Sequence, residues 1–194
     1  FVLPRAASLI SLVLHPMMVT PATFGLLIYT GSSIPENSHL LFIIAFFFST
    51  ILAIATVYYM KQKGIVSNMD VSTREERVQP LVFGSIYCGL GFLLLKYLNA
   101  PALIQGLMFC YAFNTAIVWF ITRKWKISIH AIGLSGPLVA LWLHGFHLPI
   151  FMGIALVLLC VSRVILKVHT PAQVIAGAGM AMGLAYVQLT LLFL

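Results

Sequence analysis

Residues 40–60 read LLFIIAFFFSTILAIATVYYM and set the class of structure that this chain can form. The stretch contains no charged side chain, and its length matches the roughly 20 apolar residues that a helix needs to cross a bilayer. A strand of a membrane barrel would alternate apolar and polar residues, and this stretch does not alternate. Since only helices and closed barrels satisfy the backbone in lipid, residues 40–60 predict a transmembrane helix.

Six further stretches have the same character, and the composition of the whole chain agrees. Of its 194 residues, 61% are hydrophobic and 8% are charged, against roughly 25% charged in a soluble domain. This composition excludes a soluble globule and a disordered chain. It predicts an all-α, polytopic integral membrane helix bundle of about seven spans, forming one domain over residues 1–194. The predicted spans are residues 6–30, 40–60, 81–98, 102–121, 131–147, 149–168 and 171–193.

The first predicted span, residues 6–30, is too long for the apolar region of a signal peptide, so we expect it to be a permanent span. His15-Pro16 lies within it. The proline predicts a kink, and we expect His15 to bond a carbonyl that the kink frees.

The charges are unbalanced, with 11 Lys and Arg against 4 Asp and Glu and a net charge of +7. In a membrane protein this excess favours anionic lipids or phosphate-bearing ligands. No basic run is interleaved with aromatic residues, so we expect no nucleic-acid partner. With seven spans, ten of the eleven cations fall on one face and only Lys96 on the other. The chain therefore predicts a multi-pass protein of the cell membrane with its cationic face in the cytoplasm.

Residues 162–173, SRVILKVHTPAQ, form the junction between the last two predicted spans. Thr170 followed by Pro171 predicts an N-cap and the first residue of a helix. His169 then lies just outside a helix N-terminus, whose free N–H groups favour an anion. Arg163 adds a cation at the same surface, so this junction predicts phosphate binding. The structural alternative is an interfacial histidine beside a snorkelling arginine.

A second segment, Lys126-Ile-Ser128-Ile-His130, precedes the fifth predicted span on the same face. It brings a second histidine, a serine and another cation to that surface. Phosphoryl transfer without a metal needs a nucleophile, an acid for the leaving oxygen and cations around the phosphate. Residues of all three kinds are present, although a serine cap beside a core histidine is the structural alternative.

Together the two segments resemble the type-2 phosphatidic acid phosphatase superfamily. Its third motif reads SRxxxxxHxxxD, and Ser162, Arg163 and His169 match it in type and spacing. Its second motif reads PSGH, and Ser128 and His130 match it. The resemblance implies that His169 attacks phosphorus to form a phosphohistidine and that His130 protonates the departing alkoxide. It also implies that Arg163 and Ser128 hold phosphate oxygens, that six of the spans form the core, and that neither a metal nor another cofactor is needed.

The match covers about residues 120–190 and departs from the pattern at several positions. The first motif, KxxxxxxRP, is not intact ahead of Pro80. We expect the nearby cations Arg74 and Arg77 to take its phosphate-binding role together with Lys126. A solvated charged helix is the alternative for Arg74.

The most consequential departure is Gln173, which stands where the superfamily has the aspartate that orients the nucleophile. We predict that Gln173 orients His169. It also completes a capping box with Thr170, so a purely structural role is the alternative.

These patterns predict a metal-independent phosphatase that acts on a lipid phosphate or a polyprenyl (di)phosphate, with that substrate and membrane lipids as its partners. The first alternative is a non-catalytic protein that binds or transports lipid phosphates. The second is a UbiA-type prenyltransferase, which residues 70–80 faintly resemble. That chemistry holds Mg²⁺ with two Asp-rich motifs, whereas Asp70 is the single aspartate of this chain. The oligomeric state stays open.

Overall fold

The computed structural model describes residues 2–31 and 34–194, and these residues form helices, turns and loops without a strand. A π-helical turn, Phe47–Ile51, joins the third helix to the fourth, and a single 3₁₀ turn, Glu75–Arg77, leads into the fifth. The helices are α1 (Val2–Val13), α2 (Pro16–Tyr29), α3 (Ser38–Phe46), α4 (Leu52–Gln62), α5 (Val78–Tyr97), α6 (Ala102–Thr122), α7 (Ile129–His144), α8 (Pro149–Ile165) and α9 (Pro171–Leu192).

Four continuous helices are long and apolar enough to cross a membrane: Ser38–Gln62, Glu75–Tyr97, Ala102–Thr122 and Pro171–Leu192. α1 and α2 pass the same test together, as a pair bent by 41°, and make a possible fifth span. α7 and α8 are apolar but shorter, with 16 and 17 residues. The described part of the chain is therefore all-helical with four or five candidate spans, and the expected number of seven stays a prediction.

The predicted kink lies between α1 and α2, but His15 acts differently from the prediction. It is the N-cap of α2, and its Nδ1 accepts a hydrogen bond of 3.1 Å from the N–H of Met17. The expected bond to a freed carbonyl is wrong because the first N–H groups of α2 are the groups that lack partners at a helix start. The contact fixes the ring, with the proton of the neutral form on Nε2.

Small residues bring α7 close to its neighbours. A Cβ added to Gly133 would lie 2.6 Å from Cγ of Pro16, and one added to Gly177 would lie 3.0 Å from the carbonyl oxygen of Ser128. Close backbone approach at small residues is how helices associate where the hydrophobic effect is weak. The packing places the first turn of α7 against the starts of α2 and α9.

The largest buried apolar cluster lies in the halves of the helices that are remote from the α8–α9 junction. It joins α2, α3, α5, α6, α7 and α9, and its fully buried members include Phe24, Leu41, Leu107 and Leu189. The polar residues of the two sequence segments lie at the opposite end of the bundle.

We expect Gly133→Ala to destabilise the protein by about 1–3 kcal/mol, as overpacked sites commonly do, because the new methyl group meets the rigid ring of Pro16. Thermal unfolding in detergent measures the effect. Gly136→Ala is the matched control on the same helix, where an added Cβ has no neighbour within 4 Å. It should be neutral or raise stability by up to about 1 kcal/mol through helix propensity. Equal melting temperatures for the two variants would contradict the close approach of α7 to α2.

Candidate active site

The α8–α9 junction is a tight reversal that presents His169. Arg163 lies in the last turn of α8, and its carbonyl accepts hydrogen bonds from the N–H groups of Val168 and His169, both at 3.3 Å. Lys167 has φ of 56°, in the left-handed region that turns the chain back. Thr170 then caps α9 with the predicted capping box. His169 is thereby held immediately before a helix N-terminus.

Gln173 serves the cap and His169 at the same time. Its Oε1 lies 3.2 Å from the N–H of Thr170 and 3.0 Å from Nδ1 of His169. Because the peptide N–H can only donate, the shared acceptor is the carboxamide oxygen, and Nδ1 of His169 must donate to it as well. The neutral ring then carries its lone pair on Nε2. The two roles that the sequence offers for Gln173 are therefore compatible.

The Nε2 atom of His169 is buried and has no hydrogen-bond partner among residues 2–31 and 34–194. Burial lowers the pKa of His169 to about 4, although the hydrogen bond to Gln173 acts in the opposite direction. The positive charges of Arg77, Lys126 and Arg163 also lower this pKa. At neutral pH the side chain is thus an uncharged imidazole with a free lone pair, the form that a nucleophile requires.

Ser128 and His130 stand at the start of α7. Ser128 is the N-cap, its Oγ accepts from the N–H of Ala131 at 3.3 Å, and its own N–H donates to the carbonyl of Gln173 at 3.3 Å. The starts of α7 and α9 are therefore bonded directly to each other. His130 is 5% exposed, and within the described ranges its Nε2 makes no hydrogen bond.

Arg163 is buried, and two of its nitrogens are held by distant segments. Nη1 donates to Oγ of Ser11 at 2.7 Å, and Nη2 donates to Oδ2 of Asp70 at 2.8 Å. Its Nε is buried and has no partner in the part of the chain that the structure describes. The guanidinium is thus fixed in orientation, with its Nε–H unpaired.

The other predicted phosphate-binding cations have different surroundings. Arg77 is buried and donates to the carbonyls of Val71 at 2.7 Å and Ile127 at 3.1 Å, so it ties two loops together. Arg74 donates to Glu75 at 2.7 Å and to the carbonyl of Arg123, so its contacts do not bring it to His169. The pKa of Lys126 is lowered by partial burial and then by the charges of Arg77 and Arg163, which places Lys126 within electrostatic reach of the site.

Asp70 and His15 belong to the site, and sequence reasoning missed both. Oδ1 of Asp70 lies 3.4 Å from Nε2 of His130 and 3.7 Å from Nε2 of His15. Burial raises the pKa of Asp70, but His15, His130 and Arg163 together lower it far below its usual range. The side chain is a carboxylate among proton donors. The one signal available was that the only aspartate of the chain lies in its longest polar connection.

His15, Asp70 and His130 are the one group in the described ranges with ligand atoms close enough to hold a metal ion, all within 4.8 Å. The donor set does not fit a metal well. The hydrogen bond from Met17 leaves the ring proton of His15 on Nε2, the nitrogen that faces the carboxylate. A ligating histidine normally donates from its other nitrogen instead. Arg163 also places a positive charge on the same carboxylate, so the group is better described as proton donors around an anion.

A largely apolar cavity of about 210 Å³ begins at this group and extends between α2, α4, α5, α6 and α7. His15, Asp70 and His130 line one end of it, and Leu107 and Tyr111 line its interior. His169 is not among the lining residues in the described part of the chain. Of the two candidate catalytic histidines, His130 therefore contacts the cavity and His169 does not.

In comparisons of this chain with known proteins, no family model, no curated protein and no solved structure matches it. The geometry of the site carries its chemical interpretation. That geometry joins His169 to Gln173, Arg163 to Asp70, and Ser128 to the start of α9.

The unpaired nitrogens of His130 and Arg163 predict an anion site. We expect inorganic phosphate or orthovanadate to raise the melting temperature. At a ligand concentration 100 times the Kd, the free energy of unfolding should rise by about 2.7 kcal/mol. Arg163→Gln should remove this shift, measured against its own baseline. Lys124→Gln, at an exposed cation of the same face, should keep it. A shift that survives in Arg163→Gln, or that sodium chloride reproduces at equal ionic strength, would disprove the site.

Proposed function

We propose that this protein is a metal-independent membrane phosphatase that hydrolyses a lipid phosphate or a polyprenyl (di)phosphate through a phosphohistidine on His169. The observation that carries the proposal is the state of His169, a neutral imidazole with Nδ1 held by Gln173 and with Nε2 unpaired. The positive charges of Arg77, Lys126 and Arg163 act on this imidazole. The arrangement suits attack on an anionic phosphorus centre better than simple binding, which needs donors and not a lone pair.

In the first step, Nε2 of His169 forms a bond to phosphorus while the bond from phosphorus to the leaving oxygen breaks. Arg163, Ser128 and Lys126 stabilise the charge on the remaining phosphate oxygens. His130 donates its proton to the leaving oxygen, which departs as an alcohol or, from a diphosphate, as a monophosphate. In the second step, water attacks the phosphohistidine, His130 takes a proton from that water, and the N–P bond breaks to release phosphate.

The cavity supports a lipid substrate. The attacking and leaving groups lie on opposite sides of phosphorus in an in-line displacement. His130 lines the cavity and His169 does not, so the leaving group lies on the cavity side. An apolar cavity in that position fits a hydrocarbon chain attached to the leaving oxygen.

We also propose that α7 and α8 cross the membrane, which gives seven spans with six of them as the phosphatase core. The end of α6 and the start of α9 lie at the same end of the bundle, because Ser128 bonds to Gln173. The chain between them must therefore leave that end and return to it. A span of 16 or 17 residues is short, and local thinning of the bilayer accommodates such a mismatch. The cation asymmetry supports the proposal that this end faces the cytoplasm at the cell membrane.

A non-catalytic lipid-phosphate binding or transport protein is the second candidate. The neutral Gln173 favours it, because an amide stabilises a charged imidazole less than a carboxylate does. Such a protein would bind phosphate at the same cations without releasing it from a lipid. The contacts of Asp70 do not support the prenyltransferase alternative. Its carboxylate is paired with Arg163 and faces two histidines, and among the described residues it is not grouped with other carboxylates that would hold Mg²⁺.

The proposal is tested by trapping the intermediate. Rapid quenching of the purified protein with ³²P-labelled lipid phosphate, in the presence of EDTA, should give an acid-labile and base-stable label. His169→Gln should show neither label nor turnover. His147→Gln, at an exposed histidine of the α7–α8 connection, should retain both. Turnover by His169→Gln would end this mechanism, and a wild-type protein that binds phosphate without releasing it from lipids would favour the binding candidate.

Gln173→Ala should lower the hydrolysis rate by about tenfold or more, since losing roughly 1.4 kcal/mol of orienting interaction in the transition state costs that factor. Thr170→Ala is the matched control, because it removes the hydroxyl that caps the N–H of Gln173 and leaves the bond to His169. We expect it to lose about 1 kcal/mol of stability while turnover stays within a few-fold. If both variants lose stability alike and turn over like the wild type, Gln173 is only a cap.

A further inference from the structure

Asp70 has no part in the two proposed reaction steps, but its contacts with His130 and Arg163 indicate a role. It is the only acidic residue of the described ranges in contact with His130 or Arg163. Glu75 is paired with Arg74, and Glu76 accepts hydrogen bonds from Ser67. We propose that Asp70 is a positioning residue that stabilises the protonated form of His130, from which the leaving oxygen takes its proton. The inference rests on the proposed function.

His130 needs such a partner because an acid must carry its proton before the bond to the leaving group breaks. The groups that face His130 are His15, Arg163, His169 and Asp70. The ring of His15 packs edge-on against it, with centroids 4.6 Å apart. Burial and the charge of Arg163 both oppose a positive imidazole. Of these groups, only the carboxylate of Asp70 stabilises the charged form.

The carboxylate of Asp70 places a negative charge near His130 without accepting a hydrogen bond from it. Oδ1 of Asp70 lies 3.4 Å from Nε2 of His130, yet Nε2 makes no hydrogen bond. The hydrogen bond of the carboxylate goes instead from Arg163 to Oδ2, at 2.8 Å. In the protonated ring, the proton on Nε2 is therefore available to an oxygen of the substrate.

His15 keeps the carboxylate in place. Its Nδ1 is occupied by the N–H of Met17, so Nε2 presents a proton toward Oδ1 of Asp70 at 3.7 Å. The opposite side of the carboxylate is fixed by Arg163. Asp70 is thus held between two segments that are themselves fixed by the helix bundle.

Asp70 also anchors Arg163. The loss of this anchor and the loss of the acid are distinguished by comparing substrates with different leaving groups. A loosened Arg163 weakens contact with the phosphate in every substrate. A missing acid slows only substrates whose leaving oxygen needs a proton, such as an alkyl phosphate, and spares p-nitrophenyl phosphate. Ser11→Ala is the matched control, because it removes the other anchor of Arg163 and leaves Asp70 beside His130.

The experiment measures kcat/KM against pH for wild type, Asp70→Asn and Ser11→Ala with both substrates. We expect Asp70→Asn to lower alkyl phosphate hydrolysis about 100-fold or more, the range of general acid catalysis. It should lower p-nitrophenyl phosphate hydrolysis no more than Ser11→Ala does, and it should move the alkaline limb of the alkyl phosphate profile to lower pH. Equal losses on both substrates, or the same selectivity in Ser11→Ala, would overturn the inference.

A second measurement does not depend on turnover. NMR of protein with ¹⁵N-labelled histidine, with the His130 signal assigned by its loss in His130→Gln, follows the charge of that ring. The midpoint of its titration should fall by at least one pH unit in Asp70→Asn and stay within a few tenths of a unit in Ser11→Ala. An unchanged midpoint in Asp70→Asn rejects the inference. If the wild type hydrolyses neither substrate, the proposed function fails, and this titration still decides whether Asp70 stabilises the charged form of His130.

Discussion

Burying the guanidinium of Arg163 inside an apolar helix bundle is the constraint from which the site follows. The residue is 3% exposed, and a charge without partners is expensive in such surroundings. Its partners come from α1, through Ser11, and from the loop between α4 and α5, through Asp70. Satisfying this one charge therefore draws two distant segments over the end of α8. Because Asp70 pairs with Arg163, it also lies beside His130.

A second buried arginine makes the loop of Asp70 rigid. Arg77 donates to the carbonyl of Val71, the residue next to Asp70, and to the carbonyl of Ile127, which lies between Lys126 and Ser128. One side chain thus couples the α4–α5 loop to the start of α7. The sequence assigns Arg77 to phosphate binding. That assignment stays a prediction, and the observed bonds show that this cation also holds backbone in place.

Local patterns in the sequence predicted the features that depend on local contacts. The caps at Ser128 and Thr170 and the kink at Pro16 involve residues within a few positions of one another, so helix chemistry alone predicts them. The contacts of Arg163 with Ser11 and Asp70 span 152 and 93 residues. A single aspartate in a polar loop has no periodicity to show which helix end it will reach. Composition gave the helical membrane class, but α7 and α8 are shorter than the predicted spans.

The position of the negative charge has a consequence for the proposed reaction. In the superfamily that the two segments resemble, the carboxylate belongs beside the nucleophile; here that place is taken by the neutral Gln173, and the carboxylate faces His130. His169, with a pKa of about 4, is a weaker base than a histidine held by an aspartate. It is a poorer nucleophile, but it is also a better leaving group, so the N–P bond breaks more easily. With the carboxylate at His130, proton donation to the leaving oxygen compensates in the first step. The arrangement thus favours substrates with poor leaving groups, as alcohols of lipids are, and rapid release of phosphate from the enzyme.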